Sequence, residues 1–267
     1  IEPGDNATTS MVAAGKADFG ISYQEDVTYA LTSEDPLPIK TIATIIQHNT
    51  SGFVSLKSAN INSVKDFEGK TYAGWGAPSE EAVIKAVMNE AGADFSKLNI
   101  VGSDGSGIAG LSDEVGKNKV NLGWEFYGWA IIKALQDGYD LNYMPLADLD
   151  NRLDYYTPVI ITNKKMIEKN SDTVKKFMEA TKKGYEYAID HPSKAAEILH
   201  EDALSDTDLK FLKESQKYLS SQYAKDADSW GVMKDSVWDN YTDFMYETGL
   251  ISQKIDAKDQ YTNEFVK

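Results

Sequence analysis

Apolar positions along the first half of the chain form short runs rich in Ile, Val and Thr. Longer stretches between them carry an apolar residue every three or four positions. The first pattern is that of strands, the second that of amphipathic helices. Strands are predicted over residues 39–47 (IKTIATIIQ), 52–56, 70–75, 98–101 and 119–124. Residues 79–91 place Val83, Val87, Met88 and Ala91 on one helical face. Pro78 and Ser79 open that helix, Glu80 and Glu81 sit in its first turn, and Gly92 follows its end. Strands alternating with helices argue for an α/β protein on mostly parallel sheets.

From about residue 155 the pattern changes. Residues 155–162 (YYTPVIIT) read as one more strand, and helices follow nearly to the end. Asn170 or Ser171 caps a helix whose face carries Val174, Phe177, Met178, Thr181, Tyr185 and Ala188, and Pro192 opens the next. Ser205 with Asp208 has the form of a capping box before Leu209. The last long helix carries Val237, Tyr241, Phe244 and Met245 and ends before Gly249. The split predicts two lobes, the first discontinuous: residues 1–59, then an inserted lobe over 60–154, then a return over 155–267. Two crossings imply a hinge and a ligand cleft between the lobes. Ile1, Glu2 and Pro3 read as a strand end running into a helix over residues 6–14, so a preceding strand-helix unit is expected to be missing.

Charge and composition narrow the chemistry. The 267 residues hold 42 acidic and 27 basic side chains, a formal charge of −15, with three His and no Cys. Disulfide scaffolds, thiol enzymes, zinc fingers and iron–sulfur sites all need cysteine, and a nucleic-acid binder needs a basic footprint. Neither a membrane span nor a signal peptide is legible. Gly105-Ser-Gly107-Ile-Ala-Gly110 matches a dinucleotide pattern but lies deep in the chain and reads as a glycine-rich helix entry. Gly69-Lys70-Thr71 lacks the earlier glycine of a phosphate loop, since position 64 is Val64. The run from Asp148 to Arg152 lacks the glycine and final glutamate of a calcium loop. His48, His191 and His200 stand far apart and read as surface polar residues. No metal, no cofactor and no catalytic residue is expected.

Three clusters remain: Ser22-Tyr23-Gln24-Glu25-Asp26, Trp75-Gly76-Ala77-Pro78-Ser79-Glu80, and Trp124-Glu125-Phe126-Tyr127-Gly128-Trp129. Each is read as following a strand, where loops meet a cleft, and each joins a flat ring to a carboxylate or amide. Such a set suits a nitrogen-rich heteroaromatic, stacked on its faces and hydrogen-bonded at its edge. The expected ligand-binding residues are Tyr23, Gln24 and Glu25 from the first lobe, with Asn49 and Ser51 near the crossover. Trp75, Ser79, Glu80, Trp124 and Glu125 act from the second, and Tyr155 or Tyr156 from the return.

At these residues a resemblance emerges. The segments from Gly15 to Ser22 (GKADFGIS), Val64 to Lys70 (VKDFEGK), Lys117 to Trp124 (KNKVNLGW) and Thr157 to Thr162 (TPVIIT) resemble the NMT1/THI5-like family of ABC-transporter substrate-binding proteins. The match runs essentially end to end. SYQEDVTYA, from Ser22, and the Trp124–Trp129 cluster are most similar to bacterial binding proteins for thiamine pyrimidine precursors, formylaminopyrimidine and hydroxymethylpyrimidine. The resemblance implies a two-lobed periplasmic-binding-protein fold of type II that closes on a small molecule. It implies an ABC permease and ATPase as partners, a monomer, and an extracytoplasmic place. In many Gram-positive members it also implies a lipid anchor, here outside this chain. Sulfonate, nitrate or taurine binding is the alternative within the family, with the anion at the helix N-termini opened by Ser79 and Ser106. Against it, Glu25, Glu80 and Glu125 would repel an anion. Pyrimidine synthases of the same fold carry a cysteine-rich motif absent here, so an enzyme is not expected.

Overall fold

The structure, a computed structural model, describes residues 7–116 and 119–267. The strand end read at Ile1, Glu2 and Pro3, the first residue of the predicted opening helix, and Lys117 and Asn118 lie outside the described residues. The chain forms two compact units, Ile1–Asn49 with Asp154–Lys267 (unit 1) and Thr50–Leu153 (unit 2). In chain order, unit 1 begins with α1 (Thr8–Ala13), β1 (Phe19–Ser22), α2 (Gln24–Thr32) and β2 (Ile39–Thr44). Unit 2 contains β3 (Ser51–Leu56), β4 (Thr71–Gly74), α3 (Pro78–Glu90), β5 (Asn99–Gly102), β6 (Leu122–Phe126), α4 (Ile132–Gln136), β7 (Leu141–Pro145) and α5 (Leu146–Leu149). The return to unit 1 gives β8 (Val159–Asn163), α6 (Lys164–Lys169), α7 (Ser171–Asp190), α8 (Pro192–Asp202), α9 (Leu209–Ser220), α10 (Asp235–Glu247) and α11 (Ala257–Gln260).

The unit 1 sheet has the order β1-β8-β2, and β8 runs antiparallel to both neighbours. Its sequence, VIITN, is buried throughout, as a strand covered on both faces requires. The pleat sends Ile160 to one side, with Ile42, Val174, Met178 and Trp230. Val159 and Ile161 go to the other, with Val12, Val27, Leu31 and Trp238. Phe19 stacks on Phe177 at 3.8 Å between ring centroids, fixing α7 against the sheet. In α7 the predicted face holds, with Val174 and Met178 fully buried.

Unit 2 has the order β5-β4-β6-β3-β7. Here β4 is parallel to β5 and β6, while β3 is antiparallel to β6 and β7. Phe53 and Val54, adjacent on β3, serve opposite faces. Phe53 meets Phe67, Tyr72 and Trp124 edge to face, and Val54 joins Ile108, Ile131 and Ala134. Sheets that are mostly parallel are therefore not what forms, since among the strands described parallel strand-to-strand pairing is confined to β4. A run of apolar residues announces a strand but not its direction, and β8 enters unit 1 from the second crossing against the sense of β1 and β2.

The boundary of the inserted unit lies ten residues earlier than expected, at Thr50 instead of residue 60, because β3 pairs with β6 and β7. β6 starts three residues later than the predicted strand and ends two residues later, which moves Glu125 and Phe126 out of a loop and into the sheet beside Trp124. β7 was not predicted; all five of its positions are half-buried, so no alternation marks it. Asp208 caps α9 alone, accepting the Lys210 and Phe211 backbone N–H groups at 2.6 and 3.2 Å, in place of a box with Ser205. Among the described residues no helix is long and apolar enough to cross a membrane.

Candidate functional site

In unit 1 the strand β1 delivers the chain to Tyr23, the extended residue at the start of α2, whose ring is exposed. Glu25 follows in the first helical turn, where the helix dipole favours a carboxylate. Tyr241, from α10, donates its hydroxyl to Glu25 Oε2 at 3.1 Å. Tyr155 stacks on Tyr241 at 4.0 Å and 19° and is hydrogen-bonded to Tyr241 and to the Asn49 side chain. A polar chain thus runs from Glu25 through two tyrosines to Asn49, the last residue before the first crossing. Burial holds both phenols well above the ordinary tyrosine range, and the neighbouring Glu25 charge pushes the same way. Tyr29, one helical turn beyond Glu25, is pushed up to about 12 by burial and then by Glu25 and Asp26. Its buried hydroxyl has no hydrogen-bond partner among the described residues.

Unit 2 contributes an aromatic step. Trp75, just after β4, is 59 % exposed, and its ring meets that of Trp124 on β6 at 5.2 Å and 63°. Glu80 shapes the loop that presents Trp75. Only 2 % exposed, its carboxylate accepts the Trp75 and Gly76 backbone N–H groups at 3.2 and 2.8 Å and the Tyr72 hydroxyl. Gly74 permits this approach, for a Cβ there would stand 2.1 Å from a Glu80 oxygen. Gly76 turns the chain at φ +81°, a conformation that glycine adopts without strain. Burial and the bond to Glu80 push the Tyr72 phenol far above its ordinary value.

Glu125 is half-buried and projects from the face of the sheet opposite Trp124, as the pleat demands of neighbours on a strand. Burial alone holds its carboxyl above the usual range. A Cβ on Gly107 would lie 3.5 Å from Glu125 Oε1, so the glycine-rich segment passes close over this carboxylate. Directly after β6 the chain makes a π-helical turn, Tyr127–Ile131, a rare form often found at functional sites. Trp129 on that turn and Phe126 before it are 49 and 44 % exposed.

Several expected ligand contacts are buried, and some are hydrogen-bonded within the protein. Gln24 is fully buried; its Oε1 accepts the Tyr156 backbone N–H at 2.9 Å and its Nε2 donates to the Val237 carbonyl at 3.3 Å. Tyr156, 1 % exposed, spends its hydroxyl on the Lys234 backbone N–H at 2.9 Å. Glu80 has both oxygens engaged within its own loop. Ser51 and Ser79 are buried at 1 and 4 %, the first in the sheet opposite Phe126 and the second in the first turn of α3. Ser106 leads into a single 3-10 turn and not a helix, which removes one of the two anion-binding termini considered. Conversely, Tyr241 was not expected at the site, and His48, read as a surface polar residue, is half-buried with its Nδ1 2.6 Å from Asp154 Oδ2. Tyr241 was legible only as a buried helical position, and nothing local announced that His48 would meet Asp154, 106 residues away. Among the described residues no group of three or more His, Cys, Asp or Glu is placed to hold a metal ion.

Sequence and structure comparisons add the following. The profile of a family described as NMT1/THI5 like matches residues 1–195. The formylaminopyrimidine-binding protein of Halalkalibacterium halodurans is 26 % identical over 198 residues, covering 71 % of this chain and 56 % of that protein. This chain therefore spans little more than half the length of that relative. The riboflavin-binding protein RibY of Chloroflexus aurantiacus is 26 % identical over 255 residues, 88 % of this chain and 67 % of that one. A 4-amino-5-hydroxymethyl-2-methylpyrimidine phosphate synthase from Legionella pneumophila is 21 % identical over 277 residues, 100 % of this chain and 81 % of that one. Among solved structures, the alkanesulfonate-binding protein SsuA from Xanthomonas axonopodis pv. citri, bound to MOPS, superposes with a TM-score of 0.69 at 12 % identity. It covers 95 % of this chain and 83 % of its own. That likeness establishes the periplasmic-binding-protein fold, and the profile match, over well more than half the chain, establishes the lineage: the protein belongs to the NMT1/THI5-like family.

Proposed function

We propose that this protein is the solute-binding component of an ABC importer. Its ligand is a small flat heteroaromatic of the thiamine-precursor type, formylaminopyrimidine or hydroxymethylpyrimidine. The observation that carries the reading is the step formed by the exposed Trp75 and the half-buried Trp124, in a unit that also presents the half-buried Glu125 carboxylate. Rings of this kind bind flat faces, with about 0.5–1.5 kcal/mol per aromatic pair beyond the area buried. Carboxyl groups accept from amino groups at the edge. Glu25, with its Tyr241 and Tyr155 support, supplies the same chemistry from unit 1. The relatives that bind formylaminopyrimidine and riboflavin support a nitrogen heterocycle.

In this reading Tyr23 and Glu25 contact the ligand from unit 1, with the buried Tyr155 and Asn49 behind them, and Trp75, Trp124 and Glu125 contact it from unit 2. Binding favours a closed state because only that state uses both sets. Roughly a dozen heavy atoms at about −0.8 kcal/mol each reach sub-micromolar affinity, enough for uptake. The protein then acts outside the cytoplasm, held at the membrane by a lipid anchor beyond this chain, and hands its ligand to a permease and ATPase. Catalysis is not part of the proposal, although a synthase is among the relatives, because the cysteine-rich motif that the family resemblance implies for pyrimidine synthases is absent. Sulfonate binding, the activity named for a structural neighbour, is disfavoured by the two carboxylates.

Calorimetric titration with formylaminopyrimidine, hydroxymethylpyrimidine, riboflavin and taurine decides among these. A pyrimidine is expected to bind tightest, and Trp124→Ala or Glu125→Gln to weaken it at least about tenfold, or ~1.4 kcal/mol, with the fold intact by circular dichroism. Titration curves unchanged by both substitutions, or tight taurine binding, would refute the assignment.

A further inference from the structure

The chain passes between its units twice, at Asn49–Thr50 and at Leu153–Asp154. On the unit 1 side one carboxylate holds both passages. Asp154 accepts the Asn49 backbone N–H through Oδ1 at 2.9 Å, and its Oδ2 lies 2.6 Å from His48 Nδ1. The other ring nitrogen, Nε2, stands 3.4 Å from Oδ2 of Asp226. Asp226 lies in the segment after α9 and is itself fixed at φ +56°. The imidazole is therefore flanked by two carboxylates on opposite nitrogens, and only the doubly protonated ring has an N–H for each. In the neutral ring, Nδ1–H is kept for Asp154 at the shorter distance, and a lone pair then faces Asp226.

The charged and titratable groups that act on the ring are Asp154, Lys225 and Asp226. The hydrogen bond to Asp154 is the largest influence. Burial and Lys225 oppose it, and the balance holds His48 above the ordinary histidine value. Tyr156, whose phenol also feels Asp154, stays protonated over the relevant range, being pushed up to about 12.

We propose that His48 is a proton-operated clasp at the root of both crossings. Protonated, it ties the first crossing to the second through Asp154 and both to the segment after α9 through Asp226. Neutral, it releases Asp226 and keeps Asp154 only through an uncharged and so weaker hydrogen bond, which loosens the hold on the crossings. The sign follows from linkage: a histidine raised on folding stabilises fully below its unfolded value near 6.5, and that contribution fades as pH rises through the folded value. The freedom of the two units is then coupled to the acidity of the surroundings, whatever ligand is bound.

Hydrogen exchange of the Asn49 amide tests the clasp directly. Corrected for intrinsic base catalysis, exchange is expected to be about three- to tenfold faster near pH 8.5 than near pH 5.5. The His48→Gln variant, which keeps a donor for Asp154 but no titrating charge, is expected to show no such change. Asp226→Asn, at a side chain 71 % exposed and so tolerant of replacement, is expected to show at most half of it. The absence of cysteine allows a second readout. Spin labels on Lys85→Cys and Lys175→Cys, exposed positions in unit 2 and unit 1, are expected to give a distance distribution that broadens over the same pH rise in the parent and not in His48→Gln. A parent without pH dependence in either readout overturns the proposal, as does full pH dependence surviving either substitution.

Discussion

Glu80 and Glu125 are the same residue type with opposite assignments. Glu80 is almost fully buried and accepts three hydrogen bonds, so Glu80→Gln strips the charge from a carboxylate whose donors remain. Urea unfolding is expected to show a loss of about 1–3 kcal/mol. Glu125 works against stability, because burial raises its carboxyl and ionising it in the fold is unfavourable. Its stabilisation is complete below the unfolded value near 4.3 and is lost as pH rises through the folded value. Glu125→Gln should therefore melt at a higher temperature than the parent near pH 7, with the two converging below about pH 4, as calorimetric scans would show. A variant better folded yet poorer at binding is what a residue kept for its ligand produces. In sequence the two glutamates look alike, each near a Trp. What separates them is the turn Gly74-Trp75-Gly76, whose missing side chains let a glutamate in the first turn of α3 fold back on the loop. That pattern is short enough to have been read, whereas the Gln24–Tyr156 and His48–Asp154 pairs, joined across more than a hundred residues, were not.

Helices were legible almost to the residue where they carry their own punctuation. The span 79–91 became Pro78–Glu90, and Pro192 opens α8 as expected. Such signals are local, since caps, prolines and glycines act on the turn they occupy. Strand limits and directions are set by partners from elsewhere, so β6 shifted, β7 went unseen and the sheets proved largely antiparallel. α2 shows how long-range ties position a functional helix. No side chain caps it at Tyr23; its start is held because the Gln24 backbone N–H donates to the Tyr156 carbonyl at 3.1 Å while the Gln24 side chain accepts the Tyr156 N–H and donates to the Val237 carbonyl. Gln24→Ala removes buried atoms and leaves the Tyr156 N–H unpaired, at a cost of about 2–4 kcal/mol. Tyr23 and Glu25, adjacent on the same turn, are expected to lose their positions with it. Exchange protection across residues 24–28 should fall in that variant and remain intact in Glu25→Gln, which separates a helix anchor from a ligand contact.

At the scale of the whole molecule the acidic excess of −15 acts as self-repulsion on the folded state. Exposed charges are screened over about 10 Å at 0.1 M salt, so the melting temperature is expected to rise between roughly 10 mM and 0.3 M sodium chloride. A flat response would mean that the exposed pairs, such as Lys133 with Asp137 and Lys213 with Glu197, offset the excess. Family and fold were legible at this scale because the profile spreads over many positions, while the ligand rests on a handful of side chains.

The central strand of the unit 1 sheet has a consequence for biosynthesis. β1 and β2 are made early, yet neither pairs with the other; each pairs with β8, and all of Thr50–Leu153 is translated in between. At about 5–20 residues per second, a ribosome leaves those two edges unpaired for several seconds while unit 2, one continuous stretch, emerges complete. The nascent chain thus folds from the middle outward, and the first unit to be started is the last to be finished.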